Sequence, residues 1–165
     1  MSFAVRPPED VVAALAALPR PAVDGVSWIV PPRWIVKLRP LGHVAPALYD
    51  PLVDAVTDEL DGAPPARVTV GTTLRRYGNQ CLVAPVGGLD ELSEAIFSAT
   101  APIVPVTHPQ PFFAEIMLAG GRIPPHLAGA ELRTEWMAGC VQLIADRSSP
   151  HAVTLADVAT ITLNG

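Results

Sequence analysis

The sequence predicts an α+β fold in a single domain, residues 1–165. Three observations carry that expectation. Short apolar runs with strand character outnumber the helical segments. The helical segments are three, each with its apolar residues on one face. Residues 60–100 mix hairpin-like strands with helices, which is not the regular alternation of a parallel βαβ sheet.

In chain order, Ser2–Arg6 reads as a short edge strand. Pro7-Pro8-Glu9-Asp10 supplies prolines and acids suited to a helix start, and Val11, Leu15 and Leu18 share a face of a helix that stops at Pro19. Val26–Val30 and Trp34–Leu38 read as strands separated by Pro31-Pro32. Asp50 reads as an N-cap, with Pro51 at the first helical position and Leu52, Val53, Val56 and Leu60 on the apolar face. Ala66–Thr73 and Gln80–Val86 read as strands joined by a loop, residues 74–79. Leu89–Thr100 reads as the third helix; Phe113–Ala119, Trp136–Ala145 and Val158–Leu163 read as the remaining strands.

Composition narrows the function classes. Half of the residues are hydrophobic and 16% are charged, against about 25% in an ordinary domain, which excludes a disordered tail protein. Eleven basic residues face 16 acidic ones for a net charge of −5, a poor balance for a surface that grips nucleic acid. Ten of the eleven basic residues are arginine and the single lysine is Lys37. No apolar run approaches the ~18 residues that cross a bilayer, and the first six residues do not resemble a signal peptide. A cytoplasmic protein with no DNA or membrane partner is therefore expected. Cys81 and Cys140 read as buried thiols. The composition permits a homodimer or another protein partner.

Standard motifs for nucleotide, zinc and serine chemistry are absent. His43, His108, His126 and His151 lie far apart, so neither a metal nor a cofactor is expected. His108 is the best placed, ahead of the strand that carries Glu115. Arg75-Arg76-Tyr77 forms a basic pair beside an aromatic, able to hold a phosphate and stack a base, or else a solvated hairpin tip. Trp34 stands at the head of a strand, where it can line a cleft or fill a core. Lys37 and Glu115 are each the lone charge in an apolar strand, so each needs water or a partner.

Read together, these segments resemble the two-histidine (2H) phosphoesterase superfamily, in its branch of 2′-5′ RNA ligase-like proteins, also called RNA 2′,3′-cyclic phosphodiesterases. That family carries two strand-borne His-x-Thr/Ser motifs, written H-x-T-L-R-F-L-G and H-x-T-L-A-R. Residues 35–44, from Ile35 through Lys37, Leu38, Arg39 and Gly42 to His43 and Val44, have the body of the first. Residues 111–119, including Phe113, Glu115 and Met117, have the body of the second. The resemblance implies a bilobal fold in which two pseudo-symmetric antiparallel sheets flank a central cleft, with helices outside. It also places the family's catalytic positions at Ile35 and Lys37, and at Glu115 and Met117; the arginine that often follows the second motif falls at Gly120.

All four positions have changed, and the consequence is chemical. Isoleucine cannot carry a proton, which leaves one of the two acid–base roles empty. Methionine offers a phosphate no hydrogen bond. Lys37 can hold a phosphate as a point charge, whereas a carboxylate at Glu115 repels one. The expectation is a non-catalytic binding or interaction module, its cleft open to a nucleotide or RNA end. The alternative is an active phosphoesterase on 2′,3′-cyclic phosphate or 2′-5′-linked substrates, rebuilt around Glu115 and Lys37. A Lys37–Glu115 ion pair across the cleft, where relatives hold the phosphate, is a further expectation.

Overall fold

Phe3, Ala4 and Val5 are almost completely buried, because the strand they form runs inside a sheet. The computed structural model describes residues 1–106, 111–149 and 152–165. Along the chain lie β1 (Ser2–Val5), α1 (Glu9–Ala16), β2 (Val26–Trp28), β3 (Val36–Pro40), α2 (Tyr49–Glu59), β4 (Ala66–Thr73), β5 (Arg75–Tyr77) and β6 (Cys81–Gly87). Then follow α3 (Asp90–Thr100), β7 (Glu115–Gly121), β8 (Glu131–Ala138), β9 (Cys140–Asp146) and β10 (Leu155–Thr162). Short 3₁₀ turns at Pro31–Arg33, Pro46–Leu48 and Pro125–Leu127 each begin with proline, whose fixed φ suits a first helical position.

Two antiparallel sheets result. The first has the order β10-β9-β1-β3, and the second the order β2-β7-β6-β4-β8 with β5 also paired to β6. α2 packs on α3 and on β10, α3 on β3, and α1 on β8. One contiguous apolar core takes in residues of both sheets and all three helices, from Phe3 and Val36 to Leu82, Ile96 and Ile116. The expected α+β class with two antiparallel sheets is therefore correct.

Several boundaries differ, each for a local reason. Trp136–Ala145 is two strands, not one: β8 pairs with β4 in the second sheet and β9 with β1 in the first, the chain crossing over at Gly139. Arg75-Arg76-Tyr77 is not a loop but the strand β5, and the tip of its hairpin is Gly78 at φ +54°. Leu48, with no side-chain cap, precedes the second helix, so Asp50 is not its N-cap. The turn at Pro46 winds the chain earlier, and Asp50 instead lends its charge to the first helical turn. The third strand starts at Val36, two residues later than expected, since the turn Pro31–Arg33 holds Trp34 N–H on the Pro31 carbonyl at 2.9 Å.

Candidate ligand-binding cleft

The two sheets meet where β2 hands over to β3. Ile29 N–H donates to the Leu118 carbonyl of β7 at 2.8 Å, and Val36 then pairs with Val5 in the first sheet. This brings β3 and β7, the strands of the two sequence motifs, close together.

On β3, alternation sends Val36 into the core and Lys37 out to solvent. The β1–β3 register then shifts, so Phe3 faces Arg39 while Ala4 faces Lys37. That irregularity turns both Leu38 and Arg39 inward. Ile35, just before the strand, is buried in a small apolar cluster with Ala4 and Ile144, flanked by Leu155. On β7, Ile116 and Leu118 fill the core, while Glu115 and Met117 lie on the opposite face.

Around Glu115 the structure assembles an aromatic face. The Tyr77 and Phe113 rings are tilted against each other with centroids 6.4 Å apart, and Tyr77, Phe113 and Met117 are 44%, 64% and 42% exposed. Burial raises the Glu115 carboxyl pKa, and hydrogen bonding from the Tyr77 phenol pulls it partly back. Burial raises the Tyr77 pKa in turn, with the Glu115 charge adding to it and Arg75 opposing. Oε2 of Glu115 is buried with no hydrogen-bond partner among the described residues, a state that costs about 1–3 kcal/mol. Glu115→Gln is therefore expected to raise stability at pH 7. Folding lifts this carboxyl above its ordinary 4.5, so the folded chain holds the proton more tightly than the unfolded one. The ionised group is a cost above the raised pKa, and that cost vanishes below 4.5. Urea unfolding of the variant should show a gain at neutral pH that fades on acidification; a neutral-pH loss would contradict this account.

The expected Lys37–Glu115 ion pair does not form: no ion pair joins these two residues. Lys37 reaches solvent, and Glu115 turns to Tyr77. Trp34 does not line an open cleft either. It is only 2% exposed, with the Arg20 guanidinium 4.7 Å from its ring centre, because the turn ahead of β3 folds it into the core. Arg76 points elsewhere, donating to the Ile123 carbonyl at 2.8 Å and lining a separate groove of about 440 Å³ with Asn79 and Arg122. Arg75 is exposed beside Tyr77, and His43 lies exposed in the segment after β3. His108 and His151 fall outside the described residues.

Two residues of the first sheet carry no signal in the sequence pattern. Arg39 is 7% exposed and donates to Thr100 Oγ1 at 3.4 Å, the Pro40 carbonyl at 3.1 Å and the Val104 carbonyl at 2.9 Å. Gln142 is nearly buried opposite Ala4, its amide donating to Cys140 Sγ at 3.0 Å and its Oε1 without a partner among the described residues. Ion pairs close the same side of the first sheet, Arg6–Asp157 at 2.6 Å and Arg33–Asp146 at 2.9 Å. Hydrogen bonds from Ser148, aided by Arg33, hold the Asp146 carboxyl down at about 2. Among the described residues no cluster of His, Cys, Asp and Glu is suited to a metal ion, and no helix is long and apolar enough to cross a membrane.

Comparison with known proteins turns on shape. No protein-family model and no curated protein sequence matches the chain. Solved structures do. TT0787 of Thermus thermophilus superposes with a TM-score of 0.85 at 19% identity, over 99% of this chain and 97% of that one. Escherichia coli LigT complexed with 3′-AMP gives 0.80 at 15% identity over 99% and 97%. A crystal structure described as a phosphoesterase gives 0.74 at 14% over 99% and 98%. The PDE domain of MHV ns2 matches at 0.55 over 82% of this chain. The chain thus has the fold of the two-histidine phosphoesterases, carrying isoleucine and glutamate where the sequence resemblance places that family's histidines.

Proposed function

We propose that this protein is a non-catalytic member of the LigT-like structural group, using its cleft to bind a nucleotide or RNA end without turning it over. One observation carries the reading. The sequence resemblance puts Ile35 at the first histidine position, where it packs against Ala4 and Ile144, and isoleucine cannot exchange a proton. Without that group the reaction lacks one partner of its acid–base pair, which ordinarily contributes about 10²–10⁴-fold. Glu115 cannot replace both histidines, and its charge opposes a phosphate at its own position.

A nucleotide ligand is supported by relatives in fold: LigT has been crystallised with 3′-AMP, NADP+ and ATP. The exposed aromatic pair Tyr77 and Phe113 offers a stacking surface, and Lys37 and Arg75 offer cations.

The test is hydrolysis of a 2′,3′-cyclic nucleotide. Wild-type protein is expected to give no turnover above that of Glu115→Ala, while the same nucleotide binds by calorimetry. Turnover that disappears in Glu115→Ala would establish the rebuilt phosphoesterase instead.

A further inference from the structure

A second groove, of about 440 Å³, opens beside the tip of the β5–β6 hairpin, lined by Asp24, Arg76, Asn79 and Arg122 along with the pair Pro124-Pro125. We propose that this groove binds a phosphorylated sugar, Arg76 and Arg122 taking the phosphate and Asp24 a hydroxyl group. The inference is independent of the nucleotide-binding reading above.

Position separates this groove from the cleft. Neighbours on a strand point to opposite faces. Arg76 of β5 donates to the Ile123 carbonyl at 2.8 Å, whereas Tyr77, the next residue, turns to Glu115. Glu115 begins β7 and Arg122 directly follows its last residue, which sets them roughly 20 Å apart along the strand.

Charge selects the ligand. Among the described residues the ion pairs engage Arg6, Arg33 and Arg67. Arg76 and Arg122 have no carboxylate in ion-pair range there, although Asp24 lines the same groove. Two guanidiniums against one carboxylate leave the groove cationic in a chain of net charge −5. Arg76 uses one N–H on Ile123 and keeps the rest of its fork for another acceptor. A phosphate monoester has enough oxygens and charge to engage both guanidiniums, where a single carboxylate matches one planar fork. Asp24 opposes a bare phosphate, since like charges repel. Its carboxylate accepts from a hydroxyl, so a ligand with a hydroxyl beyond its phosphate gains where orthophosphate loses. The walls are set in advance. Ile123 N–H donates to the Asn79 carbonyl at 2.7 Å, Gly121 N–H to Gln80 at 3.0 Å and Arg122 N–H to Gly25 at 2.8 Å, and the prolines fix their own φ. Little backbone ordering then accompanies binding.

The experiment is a calorimetric titration of the full chain with ribose 5-phosphate, orthophosphate and ribose, repeated on Arg122→Gln and Asp24→Asn. Ribose 5-phosphate is expected to bind about tenfold more tightly than orthophosphate, and ribose to give no heat of binding. Arg122→Gln should weaken ribose 5-phosphate by about tenfold or more, and Asp24→Asn should bring the two phosphates to within about twofold of each other. Ribose 5-phosphate that fails to bind wild type, or binds Arg122→Gln as tightly, would overturn the site. Equal affinity of wild type for the two phosphates, or a preference that survives Asp24→Asn, would overturn the assignment to a sugar. Arg122 and Asp24 are both exposed, so each variant should keep the wild-type circular dichroism, which separates a lost contact from a lost fold.

Discussion

Gly121→Ala is expected to cost about 3 kcal/mol or more, lowering the melting temperature by about 6–12 °C. Gly121 ends β7 with φ +107°, and a Cβ built there would sit 2.1 Å from the Gly25 carbonyl oxygen. The obstacle is backbone, and that backbone is pinned. Arg122 N–H donates to the same Gly25 carbonyl at 2.8 Å, and Val26 pairs directly with Gly121. Relief would have to come from parting β2 from β7 at the edge of the second sheet. Gly120 supplies the control. It has no left-handed φ, and a Cβ there meets nothing within 4 Å, so Gly120→Ala should change stability by less than about 1 kcal/mol. Thermal unfolding of the two variants side by side decides the matter: equal losses would refute the steric account.

Arg39→Ala is expected to cost about 3 kcal/mol, and Arg39→Lys to recover little of it. The guanidinium is buried without a carboxylate in ion-pair range among the described residues. Burial lowers its pKa, and the charge is held by the carbonyls of Pro40 and Val104, the Thr100 hydroxyl and the Phe97 ring 4.9 Å away. Of these, Phe97, Thr100 and Val104 cluster at the C-terminal end of α3, where the helix dipole favours a cation. Hydrogen bonds to a charged group contribute about 1.5–3 kcal/mol, and removing their donor leaves buried acceptors unsatisfied. Lysine offers one compact charge in place of a planar fork and cannot span the same acceptors. Urea unfolding with hydrogen exchange at residues 100–104 measures both effects; full stability in Arg39→Lys would show that charge alone matters.

Much of this structure is legible in the sequence where one physical rule dominates. Alternation alone bounds Ala66–Thr73 correctly, and an apolar face with an acidic start bounds the third helix to within one residue. Legibility fails where two sheets compete for one run of residues. Little between Trp136 and Ala145 except Gly139 marks the crossover, because Trp136, Met137 and Ala138 end β8 on an apolar run that leads straight into β9, which is buried on both faces. The motif strands are readable, along with the facing of Glu115 and Met117, since period-two geometry fixes both. What lies across from a side chain is not periodic, which is why the sequence pairs Glu115 with Lys37 when Tyr77 is its neighbour. Arg39 stays hidden because a register irregularity against β1, invisible in composition, turns it inward.

The position of β1 has a consequence for how the chain comes to its native state. The first sheet sets Ser2 opposite Ile144 and Ala4 opposite Gln142, so one of its inner strands pairs with a strand that lies far along the sequence from it. Contacts so far apart in sequence close the largest loops and slow the search for the native topology. As the chain emerges from the ribosome, Phe3, Ala4 and Val5 can find β3 early but must wait for β9. Until then one edge of an apolar strand stands open, a template for pairing with another chain. The interval before that edge is covered is one in which such pairing competes with folding.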